Sequence, residues 1–484
     1  MLVPIPRFAR RRERVHDRWR ERRQDRAPGR WRIAVVAASA LGLTAASVAF
    51  GAVGDTPRPD RAASPLAPDV PVERLAARDL ARGIDTLHRH LKARPGDATA
   101  WATLGAAYVE QARTSGDPTR YPQADRAFAR SLKLRPADGN DAALAGQAAL
   151  AAARHDFGSA LRQADRALRV NPYSERALCS RVDALVELGR YDEALRAVEL
   201  ADQRRPGIPV FTRYAYVLEL HGDVRGARRL LLRALDSAFS PADTAYVATA
   251  LGQLAWSRGD SRQALTHFAT ALRADPGYVP ALEGRGHAHA ALGETRRAVS
   301  DLEAAVRRYP LPGRLAALAG LYEADGRRGR AEEQYALIRT WNRLARANGV
   351  ATDLESALVE ADHGDPAQAL KSARAEWARR RTVHTADALA WALHANGKDR
   401  EALTYAQKAT AESPGYRNAS FLFHRGMIER ALGDDRAARR DLRAALALNP
   451  GFSLPDARKA ASALSSLTSP SSPTSSPSSP KGDS

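Results

Sequence analysis

The chain has 484 residues, a formal net charge of +19 at pH 7 and only 6% aromatic residues. Its length exceeds what one compact core requires, and its Ala-, Leu- and Arg-rich composition argues against a protein built mainly from β-sheet. Because Cys179 is the single cysteine, an internal disulfide framework and a cysteine zinc site are both excluded.

The N-terminal segment, 1–32, is strongly basic and is predicted to be cytoplasmic. It contains twelve Arg and four acidic residues, so it contributes +8 of the net charge. The next 22 residues, 33–54, carry no charge and are long enough to cross a bilayer as one helix. Because basic flanks stay on the cytoplasmic side, we expect a single-pass protein of the cell membrane whose C-terminal part lies outside.

Two alternatives remain open for this apolar run. Ala52-Val53-Gly54 resembles a signal-peptide cleavage site, in which case the protein is secreted after cleavage near Gly54. In the other alternative, the run is a buried apolar helix. The segment that follows, 55–71, contains five prolines and is predicted to be an extended linker.

Ten alanines recur after this linker at intervals of 33 to 38 residues. A glycine lies five residues before eight of them, an apolar residue lies four residues after each, and a proline lies twelve residues after seven. Glycine can end a helix in the left-handed conformation, and proline cannot continue a helical hydrogen-bond ladder. Each unit is therefore predicted to be two antiparallel helices joined by a tight turn. The alanines are Ala124, Ala160, Ala194, Ala227, Ala264, Ala298, Ala331, Ala369, Ala402 and Ala438.

An aspartate directly follows four of the eight glycines. The short carboxylate of aspartate can accept a hydrogen bond from the first free backbone N–H groups of a helix. These aspartates are therefore predicted to cap the second helix of their units. They are Asp223, Asp260, Asp365 and Asp434.

The layout resembles the tetratricopeptide repeat family. The first unit shows the resemblance most fully, through Trp101, Leu104, Gly105, Tyr108, Ala124, Phe128 and Pro136. The units around Ala331 and Ala369 lack the terminal proline, and the second helix of the former is expected to continue through Trp341. The resemblance implies an all-α solenoid of about ten hairpins over 72–464, forming a right-handed superhelix after one transmembrane helix. The Ser- and Pro-rich tail, 465–484, is expected to be disordered.

The sequence contains none of the common catalytic motifs that we sought. A Gly-rich phosphate loop, GxSxG, HExxH and paired CxxC are all absent from the 484 residues. Glu283, His287 and His289 lie close together, but a metal site would need a further ligand from elsewhere. Cys179 is interpreted as a small buried residue rather than a reactive thiol. We therefore expect no catalytic residue, no cofactor and no bound metal.

Ligand binding is the function that the resemblance implies. In the tetratricopeptide family the first helices of the repeats line a concave surface, along which protein or peptide ligands lie. Large aromatic side chains in such a groove resemble binding anchors, and the alternative for each is ordinary packing between repeats. Registering the units on their glycines and alanines predicts eight groove residues: Tyr216, Tyr246, Trp256, His287, Trp391, His394, Phe423 and Met427.

These observations predict a membrane-anchored, extracytoplasmic scaffold that binds a protein or peptide in its concave groove. A second hypothesis is an anionic-polymer or nucleic-acid binder, although nucleic acid is the less expected partner because a solvated Arg-rich surface explains most of the charge. A third is an assembly factor for exported proteins such as cytochrome c. The arginines considered for the second hypothesis are Arg296, Arg297, Arg436, Arg439, Arg440 and Arg443.

Overall fold

The computed structural model describes residues 77–411 and 415–468 of the chain. Within these ranges the protein consists of α-helices and short turns, and no β-strand occurs there. The segments 1–32, 33–54 and 55–71 lie outside the described residues. Among the helices that are described, none is both long enough and apolar enough to cross a bilayer.

Twenty-two α-helices make up the described part of the chain. The first half comprises α1 (Ala77–Ala93), α2 (Ala98–Ser115), α3 (Tyr121–Leu134), α4 (Asp141–Ala153), α5 (Phe157–Val170), α6 (Glu175–Glu187), α7 (Tyr191–Arg204), α8 (Ile208–Leu220), α9 (Val224–Asp236), α10 (Pro241–Ser257) and α11 (Ser261–Ala274). The second half comprises α12 (Val279–Ala291), α13 (Thr295–Arg308), α14 (Pro312–Ala324), α15 (Arg328–Ala347), α16 (Asp353–His363), α17 (Pro366–Arg379), α18 (Val383–Ala395), α19 (Asp399–Ala411), α20 (Ala419–Ala431), α21 (Asp435–Leu448) and α22 (Leu454–Thr468). Short 3-10 turns at Pro118–Arg120 and Ala137–Gly139 flank α3.

The helices from α2 to α21 pair into ten hairpins, in which we call the first helix A and the second helix B. Each of the ten recurring alanines is the fourth residue of a helix B, and none is more than 2% exposed. Their small side chains allow the neighbouring helices to approach closely. The predicted repeat of antiparallel helix pairs is therefore confirmed. Helix α1 precedes the ten hairpins, and α22 follows them into the first residues of the predicted tail.

The turns between helices A and B follow the glycine prediction with one exception. Seven of the eight glycines have φ between +68° and +81°, where a side chain would be strained. The exception is Gly364, whose φ of −144° lies outside the left-handed region, so the predicted left-handed conformation is wrong there. In the second hairpin the corresponding position is His155, which adopts a φ of +61° without being glycine.

The four predicted aspartate caps are all formed. Asp223, Asp260 and Asp434 each accept a hydrogen bond from the backbone N–H three residues later, at 2.8, 3.0 and 2.9 Å. Asp365 accepts one from the N–H of Ala367 at 2.9 Å. These bonds satisfy amide donors that the first turn of a helix leaves free.

Close packing between hairpins depends on glycines in the A helices. Phe268 of α11 is fully buried against Gly252 of its own helix A and Gly284 of the next. A Cβ atom at these glycines would lie 2.5 and 2.3 Å from the phenyl ring. Phe128 packs against Gly105 in the same way in the first hairpin. A large side chain on helix B thus fills the space that glycine leaves on two adjacent A helices.

The array turns back on itself after six hairpins. Glycines in the turns of the third, fourth and fifth hairpins contact backbone that lies six hairpins further along the chain. A Cβ atom at any of them would lie only 2.1 to 2.7 Å from that backbone. The hairpins therefore wind into a superhelix whose successive turns touch. The pairs are Gly189 with Arg381, Gly222 with Gly415, and Gly259 with Leu448.

The long helix α15 makes a further contact between turns. It continues through Trp341 to Ala347, as predicted from the sequence. The indole of Trp341 is 6% exposed and packs in one apolar cluster with Leu104 and Tyr108 of the first hairpin. Contacts between the first and seventh hairpins thus extend the closure of the superhelix towards its N-terminal end.

Candidate functional site

We call the surface formed by the A helices the inner surface, because the resemblance to the tetratricopeptide family implies that it is the concave one. A cavity of about 260 Å³ opens on this surface, and we call it the inner cavity. It is lined mainly by residues of α12, α14, α16, α18 and α20, which are all A helices, with Tyr335 from the B helix α15, and it is bounded by α22. Consecutive hairpins therefore bring together side chains that are far apart in sequence.

One side of the inner cavity is apolar. Leu354 and Leu358 contribute one face from α16, and Phe421 contributes another from α20. The residues following α21 add Phe452, whose ring lies 5.7 Å from that of Phe423 in the core. This apolar wall suits the hydrocarbon part of a ligand.

The opposite side contains a connected set of polar groups. The indole Nε1 of Trp391 donates a hydrogen bond to Asp362 Oδ1 at 2.9 Å. The same indole stacks on the ring of His424, with centroids 4.2 Å apart and an interplanar angle of 20°. Nδ1 of His424 lies 2.9 Å from Asp387 Oδ1. The indole thereby positions one carboxylate of the cavity and one imidazole.

The cavity changes the acidity of these groups. Burial lowers the pKa of His424, but the charge of Asp387 and its hydrogen bond outweigh that effect, so the pKa is raised overall. Enclosure raises the pKa of Asp362, and the nearby carboxylate of Asp456 raises it further, against the hydrogen bond from Trp391. The imidazole therefore favours its charged form, whereas the charges of His424 and Lys459 only partly offset the effects that raise the pKa of Asp362.

Helix α22 completes the wall and is held in place from the previous turn. Arg458 donates a hydrogen bond to the carbonyl oxygen of Ala324, at the end of α14, at 3.0 Å. Pro455 faces Gly320, where a Cβ atom would be in ordinary van der Waals contact with it. These contacts fix α22 beside the cavity opening.

His384 is a further polar side chain of the inner cavity. Its Nε2 atom is buried and has no hydrogen-bond partner among the described residues. Burial, together with the charge of Arg380, lowers its pKa to about 3, so the ring is neutral at physiological pH. The edge of the ring faces Phe421, with centroids 5.2 Å apart.

Comparison with known proteins agrees with the repeat and its geometry. A family model described as Tetratricopeptide repeat matches residues 144–208, 215–279 and 249–311, and each match spans consecutive hairpins. The chain is a tetratricopeptide repeat protein. No curated protein sequence matches this tetratricopeptide protein.

The chain is also similar to several solved structures, at low sequence identity. A tetratricopeptide repeat protein from Parabacteroides merdae is 20% identical, covers 54% of this chain and 99% of its own, and has a TM-score of 0.32. The human IFIT1 dimer is 13% identical, with coverages of 77% and 90% and a TM-score of 0.42. YrrB, described as having an unusual peptide-binding site, is 22% identical, with coverages of 38% and 93% and a TM-score of 0.26.

Of the eight predicted groove residues, His287 lines the inner cavity of the tetratricopeptide array. Its ring centroid lies 5.3 Å from that of Trp256, which is half-buried beside it. Burial lowers the pKa of His287, and the charge of Glu283 partly opposes this. Trp256 therefore packs against His287 but does not itself line the cavity.

Tyr216 and Tyr246 lie elsewhere on the inner surface. Both line a second, smaller cavity of about 80 Å³ between the third and fifth hairpins. The hydroxyl of Tyr246 donates a hydrogen bond to Thr212 at 3.1 Å. Burial raises the pKa of both tyrosines above the ordinary value.

The remaining predicted residues mainly pack the array. Phe423 is fully buried, so its predicted place in an open groove is wrong: its side chain fills the space between the last hairpins. Trp391 is 8% exposed and acts through its bond to Asp362. Met427 packs half-buried in the same cluster, and His394 Nδ1 pairs with Asp399 Oδ1 at 2.5 Å.

Most of the polar residues of the inner cavity are not among the eight predicted groove residues. His384 and Asp387 lie 18 and 15 residues before Ala402, in the same register as Tyr246 before Ala264 and Phe423 before Ala438. The register therefore places both residues at predicted groove positions. Asp387 was not predicted because its side chain is not aromatic. Asp362 lies outside that register, so only the folded structure places it in the cavity.

Proposed function

We propose that this tetratricopeptide protein is a membrane-anchored, extracytoplasmic scaffold that binds a protein or peptide partner along its inner surface. The tetratricopeptide fold suggests a scaffold for protein–protein interaction. The observation that carries the proposal is the inner cavity, because it combines an apolar wall with convergent polar groups on consecutive A helices. A rigid wall of stacked hairpins lowers the entropic cost of binding an extended chain.

The sequence supports the anchoring part of the proposal. The uncharged run 33–54 has the length of a bilayer-spanning helix, and twelve arginines precede it. The test is extraction of native membranes at high pH, with the N-terminus of the mature protein determined by mass spectrometry. An anchored protein stays in the membrane pellet with its basic N-terminus intact. A soluble protein that begins just after Gly54 would overturn anchoring and leave the binding proposal standing.

The polyanion hypothesis is weaker because the protein's own acids neutralise part of the arginine surface. Arg297 pairs with Glu294 at 3.0 Å. Arg440 pairs with Glu429 at 3.4 Å and with Asp441 at 2.9 Å. Assembly of exported proteins such as cytochrome c remains a prediction that the identity of the partner would decide.

Two matched arginine substitutions test partner binding by the inner surface. Ala317→Arg places a long side chain into the inner cavity from α14, whereas Ala336→Arg changes an exposed position on α15. Partners are captured by in-cell crosslinking of the full-length protein and quantified for both variants. The proposal expects Ala317→Arg to reduce crosslinking of specific partners and Ala336→Arg to leave it unchanged. Equal capture by both variants, with unchanged thermal unfolding, would contradict it.

A further inference from the structure

The lining of the inner cavity contains more aspartates than lysines and arginines. Three carboxylates, those of Asp362, Asp387 and Asp456, line the cavity together with one lysine, Lys459. Four histidines also line the cavity. Burial lowers the pKa of His287 and that of His384, His363 Nδ1 lies 3.4 Å from Glu323 Oε1, and His424 pairs with one of the three carboxylates.

Two of the three carboxylates have a cationic partner within the protein. Lys459 Nζ lies 2.9 Å from Asp456 Oδ1, and His424 Nδ1 lies 2.9 Å from Asp387 Oδ1. Asp362 accepts the hydrogen bond of Trp391, which is a neutral donor. Among the residues that the structure describes, no lysine, arginine or histidine forms an ion pair with it. Asp362 is therefore the one of the three carboxylates without a direct ion-pair partner among the described residues, and the charges of His424 and Lys459 act on it only from a distance.

The residue that carries this carboxylate is accessible. Asp362 as a whole is exposed, in contrast to Asp387, which is only 4% exposed, although the cavity wall encloses its carboxyl group enough to raise the pKa. The surface on which it is exposed is the concave wall of the cavity, where surrounding side chains limit hydration. A cationic group that enters the cavity can therefore reach Asp362 and gains a stronger attraction than it would at a flat, fully solvated surface.

An apolar track leads to the carboxylate. Leu354, Leu358 and Asp362 are spaced four residues apart on α16, so they follow one face of the helix. Four residues correspond to a rise of about 6 Å, which is the length scale of the hydrocarbon stem of a lysine. A ligand with an apolar stem and a cationic end fits this order of groups.

We propose that the inner cavity binds a lysine or arginine side chain of a peptide partner, with Asp362 as the counter-ion and Leu358 in contact with the aliphatic stem. This inference rests on the proposed function, since it names the chemistry of the ligand that the inner surface receives. An anionic side chain is disfavoured, because Lys459 and His424 are already paired with acids.

The test uses two probes that differ in charge but little in shape. Nα-acetyl-lysine methylamide and Nα-acetyl-norleucine methylamide are titrated into the detergent-solubilised full-length protein, and binding is followed by saturation-transfer NMR. We expect a dissociation constant for the lysine probe in about the millimolar range and binding at least about tenfold weaker for norleucine. Equal binding of both probes, or no binding of either, overturns the inference.

A matched pair of variants locates the site. Asp362→Asn removes the charge and keeps an oxygen that can accept the Trp391 bond, so the cavity wall is retained. Asp435→Asn makes the same change at an exposed position of α21 outside the cavity. We expect Asp362→Asn to lose the preference for the lysine probe and Asp435→Asn to retain it. A preference that survives in Asp362→Asn overturns the assignment to this carboxylate.

The two proposals fail in different ways. If the lysine probe shows no preference while Ala317→Arg still reduces partner capture, the inner surface binds its partner by other chemistry, and only the present inference fails. If partner capture is insensitive to Ala317→Arg while the charge-dependent binding of the probe is lost in Asp362→Asn, the cavity is a basic-group site unconnected with the captured partners.

Discussion

Arg380 and Glu187 form a buried ion pair between parts of the chain that are 193 residues apart. Arg380 directly follows α17 and also binds Glu376 of that helix, and its guanidinium lies 5.0 Å from the ring centroid of Phe157. Burial raises the pKa of Glu187, although the charge of Arg380 opposes it. This pair joins the third hairpin to the start of the ninth and thereby closes one turn of the superhelix.

Removing the arginine should destabilise the array strongly. Arg380→Ala leaves Glu187 buried without its cation and removes one of the two arginines that pair with Glu376. Breaking a buried pair in this way typically costs about 3–5 kcal/mol. The matched control is Arg190→Ala, which breaks an exposed pair with Glu193 that is worth less than about 1 kcal/mol. Urea unfolding of both variants measures the difference. Equal losses would show that the buried pair does not stabilise the closure.

Contact between superhelical turns can be separated from backbone strain by two glycine substitutions. Gly222 and Gly293 have φ of +81° and +76°, so alanine at either position costs roughly 1–2 kcal/mol in strain. A Cβ at Gly222 would also lie 2.7 Å from the backbone of Gly415, whereas Gly293 faces open space. Gly222→Ala should therefore lose about 1–3 kcal/mol more than Gly293→Ala in urea unfolding. Equal losses would mean that the turns are separated in solution.

Two substitutions at the contact between the fifth and sixth hairpins should partly compensate for each other. In Gly284→Ala, the new Cβ atom overlaps the ring of Phe268, which we expect to cost about 1–3 kcal/mol. Phe268→Leu alone leaves unfilled space. Combining the two should therefore destabilise the protein by less than the sum of the single changes. Thermal unfolding of the four proteins in this cycle provides the measurement, and strict additivity would argue against the contact.

Acid should destabilise the protein through buried neutral histidines. Burial and the charge of Arg380 lower the pKa of His155 to about 4 and that of His384 to about 3. The unfolded chain takes up these protons near pH 6.5, so stability falls below that pH by up to about 1.4 kcal/mol per pH unit for each group. His424 has a raised pKa and acts in the opposite direction: its stabilisation is complete at low pH and is lost as pH rises through the folded-state pKa.

The histidine prediction is tested by the slope of unfolding free energy against pH. His384→Gln should make the slope between pH 6.5 and 4 shallower, because it removes one group that binds a proton only on unfolding. His88→Gln changes an exposed histidine and serves as the control. An identical slope in wild type and His384→Gln would contradict the buried, neutral state of this ring.

The single cysteine should be inert in the folded protein. Cys179 is 1% exposed, and burial raises the pKa of its thiol to about 12. Since the thiolate is the reactive species, a disulfide reagent should modify the native protein at least about a hundredfold more slowly than the urea-unfolded protein. Rapid modification of the native protein would show that α6 opens locally.

The repeat could be predicted from the sequence because its causes are local. The ten alanines, the glycines of the turns and the aspartate caps each act within one hairpin or between adjacent ones, so their periodicity is visible along the chain. The same holds for Phe128 and Phe268, because each is a buried residue of helix B that lies four residues after the recurring alanine of its hairpin. The sequence by itself therefore determined the helix pairs, their number and their order.

Only the tertiary structure decided how the array closes and what its inner cavity contains. The contact of Gly222 with Gly415, and the bond between Arg380 and Glu187, depend on the accumulated rotation of six hairpins. Small changes in the angle between neighbouring hairpins add over such a span, and no local pattern encodes their sum. For the same reason, only the tertiary structure places Asp362 in the inner cavity, beside residues of α18, α20 and α22.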